Sequence, residues 1–368
     1  MALGIEQLDD FVASYLQRYP MGKWQDISLP LQHYMFADRI FDRANKREMS
    51  TSQCKWKLKV DNNDNFQVVG LYHRDSSSRV NVLQEGSLLW GMTTTNYHYD
   101  IDEETFAMGA DAIVDYLNLQ EQGLMQDFFT GIEDIMFGPG PASSTTSPFP
   151  PVSLLWWITS TADSTTENNA TLGFNGYEPL GWGSSGVGGI SATTYAQWRN
   201  RTFPYTVVDR ADFVEKTINS MDLCTFRPPI SRSDIKPEGK HRWELLTTHS
   251  RIAALRQLLQ LGNDNIGDDI AAHSGSVMVR GVPMTWVPAW TNPNSANART
   301  DGIILGVDWN SFDWYYAAGR NMRKRAPFPH PEMSNVRIRK MDDAGQIVCY
   351  NRRANFRGWC TETVTETA

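Results

Sequence analysis

The spacing of apolar residues changes several times along the chain. Ile5, Leu8, Phe11, Val12, Tyr15 and Leu16 recur every three or four positions and stop at Pro20, which predicts an amphipathic helix. A second short helix is expected after Pro30, built on Leu31, Tyr34, Met35 and Phe41. The period then falls to two. Cys54, Trp56, Leu58 and Val60 alternate with Lys55, Lys57 and Lys59, a strand with one apolar and one cationic face. Polar stretches (DNNDN, HRDSSSRVN) lead back through SLLWGMTTTNYHYDI, so residues 52–101 read as a long β-hairpin or ribbon. Two strands alone are marginal in water, so the ribbon is expected to lie on something else, another subunit included.

Helical spacing returns with Phe106, Ala110, Ile113, Val114, Leu117, Leu124, Met125, Phe128, Ile132 and Ile135. Asp102, Glu103 and Glu104 precede them, where the helix dipole favours negative charge, and Gly138-Pro139-Gly140-Pro141 ends the pattern. A spine helix over 103–137 is predicted, roughly 50 Å long at ~1.5 Å per residue. Residues 138–200 are rich in Gly, Pro, Ser, Thr and Asn and read as a loop-rich excursion pinned by Trp156 and Trp157. From Asp209 the pattern is α/β. DRADFVEKTINSM predicts a helix, and HRWELLTTHSRIAALRQLLQLGNDN a strand and then a helix stopped by Gly262. SGSVMVRGVPMTWVP predicts strands with Pro283 at an edge or bulge. SNVRIRKMDDAGQIVCYNRRANF predicts two strands joined by an Asp-Asp-Ala-Gly turn. The fold class is therefore α+β, and no repeat is apparent.

Composition narrows the functions available. A formal charge of −8 over 368 residues argues against whole-surface attraction to nucleic acid or anionic lipid. The charge is uneven: from Arg320 to Arg357 ten Lys/Arg face three Asp/Glu, while the remainder is strongly acidic. The four cysteines (Cys54, Cys224, Cys349, Cys360) lack CxxC spacing and suit reduced, structural thiols of a chain made in a cytosol. The N-terminus has no signal-peptide pattern, and no apolar run approaches the ~20 residues that span a bilayer.

Local chemistry is sparse. Gly181-Trp182-Gly183-Ser184-Ser185-Gly186 spells the glycine fingerprint of a dinucleotide loop. Such a loop needs a buried strand before it and a helix after it; here Pro179 precedes it and VGGISATT follows, so a tight loop around Trp182 is expected. Asp61-Asn62-Asn63-Asp64-Asn65-Phe66 has Phe66 where a calcium loop requires glycine. The histidines show no zinc spacing, and there is no nucleophile elbow or P-loop. No catalytic, cofactor-binding or metal-binding residue is assigned. GRNMRKR at 319–325 is the strongest basic cluster.

Several stretches resemble one branch of the major capsid proteins of tailed bacteriophages, the Hong Kong 97-type fold. They are KWQDISLPLQHYMFADRI, NATLGFNGYEPLGWGSSGVGGI with QWRN after it, NDNIGDDIAAHSGSVMVRGVPMTWVP and the closing VRIRKMDDAGQIVCYNRRANF. The order of arm, ribbon, spine helix, loop-rich region, α/β part and closing strands fits the same family. The resemblance implies an N-terminal arm (1–51), an extended loop (52–101) and a peripheral domain with the spine helix (102–208). It also implies a mostly axial domain (209–310) and a return to the peripheral domain (311–368). The implied function is a non-enzymatic shell subunit that forms pentamers and hexamers of an icosahedral head around double-stranded DNA, bound without sequence specificity. The implied location is the virion, after synthesis in the host bacterial cytoplasm, with no membrane partner. Further implied partners are a portal protein, a separate scaffolding protein (the arm begins almost at Met1) and a decoration or cement protein. On this reading Lys55, Trp56, Lys57 and Lys59 contact an adjacent subunit, while Arg320, Arg323, Lys324 and Arg325 face DNA or a subunit seam. An encapsulin-like compartment shares the fold, and a Trp-rich carbohydrate-binding protein or hydrolase is the alternative of another class.

Overall fold

The computed structural model describes residues 34–41, 45–61, 65–72, 83–101, 110–143, 146–160, 172–179, 182, 186–225, 242–261, 277–291, 296–299 and 302–360. The first predicted helix, the polar turns of the ribbon and the onset of the spine helix lie outside them.

Two sheets and one long helix organise these residues. The short helix α1 (Met35–Ile40) leads to β1 (Lys46–Met49). The ribbon strands are β2 (Cys54–Lys59) and β3 (Leu83–Leu88), and β4 (Gly91–Asp100) follows after two residues. The spine helix α2 is described over Ala110–Phe137, 28 residues and so roughly 42 Å at 1.5 Å per residue. VSLLWWI forms a single helical turn, α3 (Leu154–Trp157), capped by Ser153 Oγ, which accepts the Trp156 N–H at 3.1 Å.

Then come β5 (Gly173–Gly176), β6 (Asn200–Tyr205), α4 (Glu215–Cys224), β7 (Trp243–Thr247), α5 (His249–Leu261), β8 (Met278–Val279), β9 (Val282–Trp286) and α6 (Pro288–Thr291). The chain closes with β10 (Ile304–Asp308), β11 (Phe312–Ala317), β12 (Arg323–Lys324), β13 (Phe328–Pro329), β14 (Val336–Cys349) and β15 (Phe356–Cys360).

The ribbon is shorter than the pattern suggested. Only β2 and β3 pair with each other, and β4 instead pairs antiparallel with β14 from Val336↔Asp100 to Gly345↔Gly91. Residues 91–100 therefore belong to the body. A second correction concerns the C-terminal hairpin. Asp342-Asp343-Ala344-Gly345 is not a turn but the middle of the 14-residue β14. β4 pairs all four residues on one edge, and β12 and β11 pair Asp342 and Gly345 on the other, which overrides the turn chemistry. Gly345 is required there because a Cβ would lie 2.1 Å from the Trp314 ring.

The six-stranded sheet (β1, β4, β11, β12, β13, β14) turns one face to α1 and α2. Phe36 and Phe41 meet Trp314 at 6.1 and 5.3 Å, and Phe41 meets Phe129 of the spine at 6.0 Å. The seven-stranded sheet runs β5-β6-β15-β10-β7-β9-β8 and separates two cores. In β10 Ile304 joins the core under α4 and α5, whereas Leu305 and Val307 join the core of the spine and tryptophans. Burial on both faces accounts for the unbroken apolar run. Pro283 lies at the start of β9, opposite Met278 of the short edge strand β8 and ahead of the residues that pair with β7.

The segments beside the tryptophan-rich core are tied together by a buried guanidinium. Arg352 is 0 % exposed and donates to the carbonyls of Trp157 (2.7 Å), Trp198 (2.9 Å), Gly176 (3.3 Å) and Tyr177 (2.9 Å). It also donates to Thr159 Oγ1 and Asn200 Oδ1, so its fixed fork of donors holds three chain segments at once. Burial lowers its pKa to about 10, which still leaves it charged at neutral pH.

Candidate assembly surfaces

The alternation in β2 is realised in three dimensions. Cys54 and Trp56 are buried, whereas Lys55, Lys57 and Lys59 are exposed on the opposite face. The structure thus separates Trp56 from the three lysines. Its ring packs inside the chain, 4 % exposed, at 5.9 Å from Trp157. Lys55 Nζ reaches Glu85 Oε1 across the ribbon at 2.7 Å. The Lys55 hydrogen bond, followed by the Lys55 charge, holds the Glu85 carboxyl below its ordinary pKa. Among the described residues Lys57 and Lys59 have no ion-pair partner, so the ribbon keeps an outward cationic strip.

The basic cluster divides in the same way. Strand register puts Arg323 opposite Asp342 and Lys324 opposite Met341, so neighbours point to opposite faces of the sheet. Lys324 points to the spine side and pairs with Glu121 of α2, to which Arg339 also reaches at 3.5 Å. Arg325 pairs with Asp342, which Lys340 shares at 3.3 Å. Arg320 and Arg323 are exposed and, among the described residues, have no carboxylate partner. Four cations thus share two carboxylates and two more have none, which leaves a net positive edge. The nearby Trp314 and Tyr315 are buried in β11, so they offer no stacking platform for bases.

An apolar segment follows β2 that periodicity does not single out. Phe66, Val68, Leu71 and Tyr72 are 91 %, 90 %, 94 % and 101 % exposed, so they make almost no contact within the chain. The signal was present as an uncharged run, NFQVVGLY, between polar stretches. Four large side chains exposed in eight residues form the kind of patch that marks an interaction site.

The glycine stretch makes a turn. Gly186, Gly188 and Gly189 have φ of +70°, +66° and +79°, and Val187 bridges Ile190. A Cβ on Gly186 would lie 2.4 Å from the Ile190 carbonyl oxygen. Trp182 donates its indole N–H to Pro141 O at 2.9 Å and packs on Trp156 at 4.9 Å. A turn and not a helix follows Gly186, so no helix N-terminus is available for a pyrophosphate. Gly181 and Gly183 lie outside the described residues.

Other chemistry is equally limited. Burial pushes the thiols of Cys54, Cys224 and Cys349 up to about 12, the opposite of an activated nucleophile. Among the described residues no three His, Cys, Asp or Glu side chains form a metal-binding group, and no helix is long and apolar enough to cross a membrane.

This arrangement of a spine helix, two sheets and a ribbon is similar to solved structures along most of the chain. The capsid of cyanophage A-1(L) superposes with a TM-score of 0.57 at 14 % identity, over 93 % of this chain and 96 % of that one. This is the Hong Kong 97-like fold of phage capsid proteins. The capsid of a native GTA particle shares it, with a TM-score of 0.54 at 10 % identity over 94 % of this chain and 97 % of that one. No protein-family model matches the chain, and no curated protein matches it. Among the described residues, the large apolar side chains after β2 and the cations Lys57, Lys59, Arg320 and Arg323 are exposed, and these four cations have no carboxylate partner.

Proposed function

We propose that this chain is the major shell subunit of a phage-type capsid, assembling with itself into pentamers and hexamers around double-stranded DNA. The observation that carries the reading is a capsid fold matched along nearly the full length of both chains. The exposed apolar segment at 65–72 supports it. Burying four such side chains is worth about 1.5–3 kcal/mol each, and a second copy of the same chain is the partner a shell supplies. In this reading the arm and ribbon reach over neighbouring subunits. Lys55, Lys57 and Lys59 meet carboxylates of the neighbour, while Trp56 stays within its own subunit. Arg320 and Arg323 lie at a seam between copies, since the acidic remainder of the chain supplies counter-charge; Lys324 and Arg325 already have partners.

The packaged DNA would be enclosed without being gripped, consistent with a net charge of −8. A portal, a separate scaffold and a decoration protein are the further partners expected of such a head, which places the subunit in the virion. Cryo-electron microscopy of particles from the native source tests the reading. DNA-filled icosahedral heads built from this chain are expected. Particles filled with protein cargo would make it an encapsulin-like shell, and a monomer at high concentration that binds glycans would overturn assembly altogether.

A further inference from the structure

No helix follows the glycine turn to receive a nucleotide, yet two glycines at the root of the ribbon, Gly86 and Gly188, are arranged for a different purpose. β2 and β3 join the body through two short connectors, residues 50–53 and Leu89–Trp90. The second is fastened to the sheet, because Gln346 Nε2 donates to Leu89 O at 2.9 Å. Connectors this short leave the direction of the ribbon to contacts at its root.

The main root contact is Trp56. Its indole lies over Gly86 of the facing strand and over Gly188 of the turn. A Cβ on Gly86 would come within 2.4 Å of the ring, and one on Gly188 within 2.7 Å. Trp157 closes the remaining side edge-on at 5.9 Å. Alongside, the Ser87 N–H of the ribbon donates to the Gly188 carbonyl at 2.9 Å, and Gln84 Nε2 donates to Tyr195 Oη at 2.8 Å.

The turn that receives the indole is itself fixed. Val187 and Ile190 are buried, Trp198 donates its indole N–H to Val187 O at 3.1 Å, and Trp198 packs on Trp157 at 6.3 Å. Arg352 holds the carbonyls of both Trp157 and Trp198. The seat is therefore part of the rigid centre of the subunit.

We propose that the Gly188 turn is an angular stop for the ribbon, with Trp56 as the wedge that seats in it. The direction in which the ribbon leaves the subunit is set by this joint. The consequence for particle geometry rests on the shell function proposed above, but the joint itself does not.

Hydrogen exchange on unassembled subunits, followed by electron microscopy after assembly, tests it. The variants are Trp56→Ala, Trp56→Phe, Gly188→Ala and Gly189→Ala. Gly189 shares the left-handed backbone, but its Cβ would meet Ser87 Oγ at an ordinary 3.5 Å, so it controls for strain in the turn. The Ser87 amide should exchange at least tenfold faster in Trp56→Ala and Gly188→Ala, less so in Trp56→Phe, and near the wild-type rate in Gly189→Ala. Amides of β10 and β15 should be unchanged in all four. Equal effects of Gly188→Ala and Gly189→Ala would assign the change to backbone strain and overturn the wedge. So would full Ser87 protection in Trp56→Ala with the body folded.

If wild-type subunits form particles, those of Trp56→Ala should be heterogeneous in diameter; uniform wild-type particles would refute the angular role. If wild-type subunits form none, the shell reading fails while the exchange result still decides the joint.

Discussion

Glu133 on the spine helix is 3 % exposed and accepts the Ala37 N–H at 3.0 Å, so it holds the first turn of α1 against α2. Among the described residues its second carboxyl oxygen has no hydrogen-bond partner. Burial raises its pKa from 4.5 to about 8, against the pull of the Ala37 and Phe36 amides, and the charges of Asp134 and Asp38 push it further up. The folded state therefore keeps a proton that the unfolded chain releases above pH 4.5. Because the unfolded state then binds fewer protons, stability falls as pH rises. The contribution is complete below pH 4.5, declines at about 1.4 kcal/mol per pH unit, and is exhausted near pH 8. By pH 7 the cost is about 3 kcal/mol.

Glu133→Gln abolishes this titration while retaining an acceptor for the Ala37 amide. Its new NH₂ group has no acceptor in the site, at a cost of about 1–3 kcal/mol. The variant should thus be less stable than wild type at pH 4, near parity at pH 7, and more stable by about 2 kcal/mol at pH 9. Urea unfolding midpoints across pH 4–9, on subunits held unassembled, measure it. Curves for the two proteins that run parallel through this range would refute the reasoning.

Other substitutions probe the remaining features. Arg352→Met leaves buried carbonyls of three segments unpaired and should destabilise by about 3–5 kcal/mol in urea melts, and Arg352→Lys, lacking the planar fork, should recover only part. Gly345→Ala drives a methyl into the Trp314 ring and should cost about 1–3 kcal/mol by the same assay. Replacing Lys55, Lys57 and Lys59 together by Glu should leave the subunit's circular dichroism and melting unchanged but block particle formation by electron microscopy; intact particles would remove the lysines from the interface. Arg320→Glu with Arg323→Glu should weaken shell stability to heating in particles both with and without DNA. Loss of DNA content alone would instead assign the two arginines to the packaged duplex.

Element identity was legible wherever one periodicity persisted. The lysine-tryptophan alternation of β2, the spine helix, and the β7–α5 succession each carry their pattern within a few turns or one strand, so local sequence determined them. The fold class followed from their order. Pairing between distant segments was decided only in three dimensions. Asp342-Asp343-Ala344-Gly345 has the chemistry of a turn, yet β4 pairs all of it and β12 and β11 pair its two ends, and such a ladder outweighs a local preference. The same pairing removed residues 91–100 from the ribbon. Alternation placed Trp56 and its flanking lysines on opposite faces, but nothing in the sequence showed that the indole seats on Gly188, 132 positions away. Nor could it show that Arg352 is the fully buried member of a basic segment, because that depends on three distant segments bringing carbonyls to one point. Sequence determined the elements and their exposed chemistry; the tertiary structure determined which charges were already answered within the chain and which have no ion-pair partner among the described residues.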